Sequence, residues 1–206
     1  MMQLLLGTNN SGKVIEMTEV LSSLPIQLLT PQSLRLEGEV DETGATFQEN
    51  ALIKARHFSK LSGLPTLADD SGIQIEAFEN ELGVQTRRWG AGPNANDQEW
   101  IEYFLRRMAT EKNKRARFVC CLAYIDAFGN EHLFEGHCDG VITPTLEADY
   151  LQGLPISACF KPDGFECVYS AMTIEQKNST SHRGKAMEKV GKFLRSNSFS
   201  HLGNAS

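Results

Sequence analysis

Four short stretches of this sequence hold residue types at spacings that could do chemistry. Gly7 to Val14, GTNNSGKV, fits the phosphate-loop spelling G-x-x-x-x-G-K, but Val14 stands where a metal-binding Ser or Thr would follow. Backbone N–H groups at such a turn, a helix dipole and Lys13 would together hold an anion. The same Asn-Ser-Gly spelling also serves an ordinary turn. ADDSG sets Asp69 and Asp70 side by side after an apolar run, with Ser71 next. Two adjacent carboxylates are costly unless something positive lies beside them, and strand ends in α/β folds are where ligands bind. A plain Asx turn between two strands fits that spelling equally, and so does a Walker B-like acid. Glu39, Asp41 and Glu42 form a third group: oxygen ligands that could complete a Mg²⁺ site with Asp70, or solvated loop acids. The fourth is EQKNSTSHRG, with Lys177, His182 and Arg183. Cations near a helix start oppose its dipole, so these residues fit better facing an anion or an acceptor-rich ring.

The elements that must position these groups are legible from periodicity. Gln3–Thr8 reads as a buried-type strand, Lys13–Leu24 as a helix and Ile26–Thr30 as the next strand. Thr46 with Glu49 spells a capping box. Beyond it Phe47, Ala51, Ala55 and Phe58 make an apolar stripe, while Asn50, Lys54 and His57 share another face. LPTLADDSGIQIEAF reads as strand, acidic turn, strand. A second amphipathic helix carries Trp100, Phe104 and Met108 on its stripe, and RFVCCLAYI-DAFGN-EHLFEGHCDGVI is a long hairpin. An irregular Pro/Gly-containing stretch follows from Pro144 to about Val168. The last helix runs from His182 to about Arg195, capped by Ser181, with a frayed tail after Asn197. The β-loop-α-β opening places the chain in the α/β class, as one unit in two lobes over residues 1–197, with 198–206 a flexible tail.

Composition narrows the partners. The net charge is −6 and the basic residues are scattered, which argues against a nucleic-acid partner. A few local cations can still hold phosphates inside an acidic protein. No apolar run approaches the ~18 residues of a membrane span, and the N-terminus reads as a strand, not a signal, which favours the cytoplasm. Five cysteines show no C-x-x-C pair or zinc spacing and read as reduced structural thiols. Together, a phosphate cradle, Lys54, carboxylates for a metal and a cationic helix start are equipment for nucleoside triphosphate chemistry.

GTNNSGK, ETGATFQENALIKARH, LPTLADDSG and EQKNSTSHRGKA, in that order and spacing, resemble the Ham1-like inosine/xanthosine triphosphate pyrophosphatases from about residue 3 to about 195. The resemblance implies an elongated two-lobed α/β fold around a central twisted mixed sheet, an active-site cleft between the lobes, and usually a homodimer. It implies Mg²⁺-dependent hydrolysis of a nucleoside triphosphate to the monophosphate and pyrophosphate, removing deaminated purines (ITP, dITP, XTP) from the nucleotide pool. Thr8, Asn9, Asn10 and Lys13 would hold the triphosphate, Lys54 would neutralise phosphate charge, and Glu42 with Asp70 would hold Mg²⁺. Asp70 would also be the general base, Ser71 would touch substrate, and Lys177, His182 and Arg183 would contact the nucleotide. On this reading Val14 is no lesion, because the metal sits on carboxylates elsewhere. Two places depart from the family. Gly153, Leu154, Pro155 and Ile156 stand where Phe-Gly-Tyr-Asp is expected, and Arg87, Arg88 and Trp89 replace Ser-Ala-Arg-Tyr. The stacking ring is lost, worth ~1–3 kcal/mol per base, with Leu154 or Trp89 as candidates to replace it. The alternatives are the same chemistry on a different or modified nucleotide, and a nucleotide-binding regulator without turnover. A P-loop phosphotransferase, which would release orthophosphate, fits least.

Overall fold

Six strands form one mixed sheet in the order β2-β1-β3-β4-β5-β6. The computed structural model describes residues 2–36, 40–79, 81–92 and 94–200, the side chains of Arg87, Arg88 and 197–200 excepted. The elements are β1 (Met2–Leu6), α1 (Ser11–Leu21), β2 (Ile26–Leu29), α2 (Phe47–Ser62), β3 (Thr66–Ile75), α3 (Asp97–Ala109), β4 (Arg115–Ile125), β5 (Glu131–Ile142), β6 (Phe160–Pro162), α4 (Ile174–Thr180) and α5 (His182–Ser200). β2, β1 and β3 run parallel; β3 to β6 pair antiparallel. β1 is buried on both faces, with Leu4, Leu5 and Leu6 fully enclosed, as an interior parallel strand requires.

Helices cover both faces of this sheet. On one, α1 and α5 pack Met17, Leu21, Met187 and Val190 over Leu67, Cys120 and Leu122. On the other, α2 lays Phe47, Ala51 and Ala55 over Ala68, Val119, Cys121 and Ala123. The stripe on α2 is the expected one, and Thr46 and Glu49 close the expected capping box. A third cluster, around Trp100, Phe104, Phe118 and Phe160, lies beyond the ends of β1 and α2.

Four sequence expectations change. LPTLADDSGIQIEAF is not strand-turn-strand. β3 is unbroken from Thr66 to Ile75, because all ten of its residues pair with β4. The last helix continues to Ser200, past the expected end near Arg195 and the expected tail after Asn197, since FLRSNSFS holds no Gly or Pro to stop it. The stretch from 144 to 168 contains β6 and a 3₁₀ turn over Pro155–Ala158. Finally, Lys177 belongs to a short helix of its own, α4, capped by Thr173.

Candidate active site

The site exists because β1 stops before β3 does. β1 pairs with β3 only at Leu5–Thr66 and Leu6–Leu67, whereas β3 follows β4 for eight residues more. Past Leu67 the chain after β1 turns away as Gly7–Asn10, opening a cleft against Asp70, Ser71 and Gly72. This is the carboxyl end of a parallel strand where the sheet changes from parallel to antiparallel, the usual place for a ligand in an α/β sheet. The cleft encloses about 410 Å³. Gly72 is required on its floor: a Cβ there would lie 2.4 Å from the Gly83 carbonyl oxygen.

The turn after β1 is a cradle. Asn10 caps α1 by accepting from the Lys13 N–H at 3.1 Å, and its side-chain amide donates to the Gly153 carbonyl at 3.2 Å. The Thr8 hydroxyl accepts from the Asn10 N–H. Gly12 lets residues 152–154 come close, since a Cβ would meet the Gln152 carbonyl at 2.8 Å. Val14 packs against the core formed by α1 and α5. Its position thus serves packing, where a phosphate loop would need a hydroxyl.

Alternation along β3 sends the two aspartates to opposite faces. Asp69, fully buried, pairs with Lys13, accepts from Arg183 Nε at 3.0 Å and Ser71 Oγ at 3.1 Å, and receives the Cys120 thiol at 3.1 Å. Arg183 also pairs with Glu16, which in turn pairs with Lys177. Burial alone would raise the Asp69 pKa, but Arg183, Lys13 and Lys54 hold it well below the usual carboxylate range. Glu16 is lowered in the same way, by Arg183 and Lys177 against its burial. Burial, then the Asp69 charge, pushes the Cys120 thiol far up, so it stays protonated and donates.

Asp70 faces α2. Lys54 donates to Asp70 Oδ1 and to Glu42 Oε1, each at 3.0 Å. The second oxygen, Oδ2, is buried without a hydrogen-bond partner among the described residues. Burial raises the Asp70 pKa, and Lys54 offsets only part of the rise. Lys54 loses from burial but gains more from Asp70 and Glu42, so it stays charged. An unpaired buried carboxylate oxygen costs ~1–3 kcal/mol, and a cation or a water proton would satisfy it.

Part of the cleft wall is apolar, with Leu154, Ile156, Phe118 and Trp100 lining it together with His182. His182 stacks on Phe118 with ring centroids 4.6 Å apart, at 16°. Burial first, then Arg183, holds its pKa well below the usual value, so the ring is neutral.

Thus Thr8, Asn9, Asn10, Lys13, Glu42, Lys54, Asp70, Ser71, His182 and Arg183 line one cleft. Lys177 stands one residue behind it, reaching the lining through Glu16. Glu39 lies outside the described residues. Leu154 is in the wall, as anticipated for a replacement contact. Trp89 is not: it packs in the core against Phe78 and Tyr103, and its indole donates to Glu81 at 3.2 Å. The sequence reading missed Asp69 and Glu16 as site residues. Strand alternation through ADDSG, once the turn is discarded, exposes the first. The second is signalled by an acid one turn after Gly12, on the buried face of α1.

The Ham1 family profile matches residues 4–193. A dITP/XTP pyrophosphatase of Leptospira interrogans is 40% identical over 193 residues, covering 94% of this chain and 97% of that one. One from Deinococcus deserti is 37% identical over 187 residues, covering 90% and 86%. The solved Ham1 protein of Coxiella burnetii superposes with a TM-score of 0.80 at 33% identity, covering 95% of this chain and all of that one. That of Staphylococcus aureus gives 0.79 at 27% identity, covering 95% and 99%. A sheet of this order, a cleft at its switch point and these matches over nearly the whole length lead to one assignment: the chain belongs to the Ham1 family.

Proposed function

We propose that this Ham1-family enzyme, a nucleoside triphosphate pyrophosphatase, cleaves dITP, ITP and XTP to the monophosphate and pyrophosphate, and so clears deaminated purines from the nucleotide pool. The observation that carries the reading is Asp70: a buried carboxylate in the cleft with a raised pKa and one unpaired oxygen. A base of this kind is strong enough to take a proton from water and is not already occupied. The names of the related pyrophosphatases support the substrate class.

The residues present suit a magnesium ion. The four cations Lys13, Lys54, Lys177 and Arg183 are each paired with Asp69, Asp70, Glu16 or Glu42. A triphosphate entering this neutral set needs further positive charge. Among the described residues no group of three or more His, Cys, Asp or Glu could form a full cage. The carboxylates of Glu42 and Asp70 offer instead the one or two acids on which Mg²⁺ usually rests, with water and phosphate oxygens completing its shell. Bound there, the ion would neutralise charge on the phosphates and polarise the anhydride.

The chain itself does the rest. The α1 N-terminus, Thr8, Asn9, Asn10 and Lys13 hold the phosphates. Asp70 Oδ2 takes the proton of the water that attacks the α–β anhydride, and pyrophosphate leaves. Lys54 opposes the negative charge that develops on the reacting phosphate. Ser71 and Arg183 touch the nucleotide, with Lys177 behind them, and neutral His182 meets its base. Product analysis tests this: with Mg²⁺ and ITP, dITP or XTP, one pyrophosphate per monophosphate is expected. Orthophosphate as the product, or no turnover of any of the three, would overturn it. A second reading, the same cleavage on another nucleotide, is favoured by the replaced segment Gly153–Ile156, and a wider triphosphate panel separates the two.

A further inference from the structure

Trp100 is the third residue after Asp97, on α3, and its ring is stacked on Phe104 at 5.3 Å and 13°. It is 2% exposed, it forms part of the cleft wall, and its indole N–H has no hydrogen-bond partner among the described residues. The other tryptophan, Trp89, gives its N–H to Glu81. A buried indole N–H left unpaired is uncommon and costs ~1–3 kcal/mol. In a fold that satisfies the neighbouring capping groups of α3 in full, this orphan needs an explanation.

Its place in the molecule supplies one. The Gly153 N–H donates to Asp97 at 2.6 Å, and the Gly153 carbonyl accepts from Asn10. One residue thus joins the start of α3 to the start of α1, which ties the helix of Trp100 to the phosphate cradle. The wall that Trp100 shares with Ile156, Leu154 and Phe118 is apolar, and His182 lines the same cleft. That is the environment of a planar heterocycle, in the same cleft as the phosphate cradle.

We propose that Trp100 is a specificity-determining residue whose indole N–H donates to an acceptor on the edge of the bound base. An indole nitrogen donates and never accepts. It therefore favours an oxo group and disfavours an exocyclic amino group, which would leave two donors opposed. The inference rests on the nucleotide reading of the cleft and deepens it.

Two measurements decide it. The chain has two tryptophans, so its ¹H–¹⁵N spectrum shows two indole signals, which Trp100→Phe assigns. On titration with IMP, ITP, ATP or GTP, the Trp100 signal moves downfield with the oxo-bearing hypoxanthine nucleotides and the Trp89 signal stays in place. Separately, Trp100→Phe keeps the ring on Phe104 and removes only the donor. It narrows the ratio of kcat/KM for ITP over ATP about tenfold, the size of one hydrogen bond. A merely structural Trp100 would lower stability and all substrates together, with the ratio unmoved. A Trp100 signal indifferent to every nucleotide, or an unchanged ratio in Trp100→Phe, overturns the proposal. Failure of the wild type to turn over any triphosphate, with the Trp100 signal still responding to IMP, would overturn the hydrolase reading and leave the base contact standing.

Discussion

On one face of β3, Asp69 meets Lys13, Arg183, Ser71 and the Cys120 thiol; on the other, Asp70 accepts from Lys54 and, among the described residues, keeps one oxygen buried and unpaired. The two carboxylates are adjacent in sequence and both buried, yet one pKa is lowered and the other raised. Burial acts on both in the same direction. What differs is the number of donors, and with it the task. A saturated carboxylate is a clamp that orders cations; an unsaturated one can accept a proton or a metal ion. Pairs of titratable groups pushed apart by their surroundings mark out such roles.

The largest effect should come from Asp70. Asp70→Asn should lower kcat ~10³-fold or more and should not destabilise the fold. Because the folded pKa of Asp70 is raised, its ionised form opposes folding at neutral pH. The variant should therefore unfold at higher temperature than the wild type, and the gap should close as pH falls through the folded pKa. A variant that keeps a tenth of the activity would remove Asp70 from the role of base.

Asp69→Asn should do the reverse. Removing one member of a buried ion cluster costs ~3–5 kcal/mol, read as a lower urea midpoint. The folded pKa of Asp69 is depressed, so its contribution is present above the ordinary carboxylate pKa and is lost as pH falls through the folded value. The variant should then show a flatter loss of stability on acidification. An unchanged midpoint would mean that Asp69 orders nothing.

Smaller effects sharpen the division. Lys13→Ala frees one clamp partner that also faces the cleft, and should raise KM about tenfold with kcat less affected; an unchanged KM contradicts the cradle. Cys120→Ala removes one donor of the four on Asp69 and should cost ~1 kcal/mol, part of which Cys120→Ser restores. Equal stability of the alanine and serine variants would show that the thiol only fills space.

How much of this was legible in the sequence follows from the range of each interaction. The capping box at Thr46, the stripe on α2 and the hairpin of β4 and β5 depend on neighbours within a few residues, and all three hold. The cradle residues and Lys54 were found because their chemistry is unusual for their place. ADDSG was read as a turn because local spelling favours one. The ten-residue pairing with β4, some fifty residues away, overrides it. Asp69 and Glu16 escaped as site residues because their partner Arg183 lies at a sequence distance no local pattern spans. Trp89 looked like a ring for the cleft and Trp100 like core; only packing distinguishes them.

The unbroken pairing of β3 also bears on how this protein can change. Side chains in a strand alternate strictly, so gaining or losing one residue between Ala68 and Asp70 would exchange the two faces for everything beyond it. A change before Asp69 would turn Asp69 toward Lys54 and Asp70 toward Arg183. Length variation is therefore tolerable in surface segments such as 144–152, where no strand counts residues, and ruinous within this single strand. Point substitutions can tune the enzyme, but its reading frame through the two aspartates cannot drift.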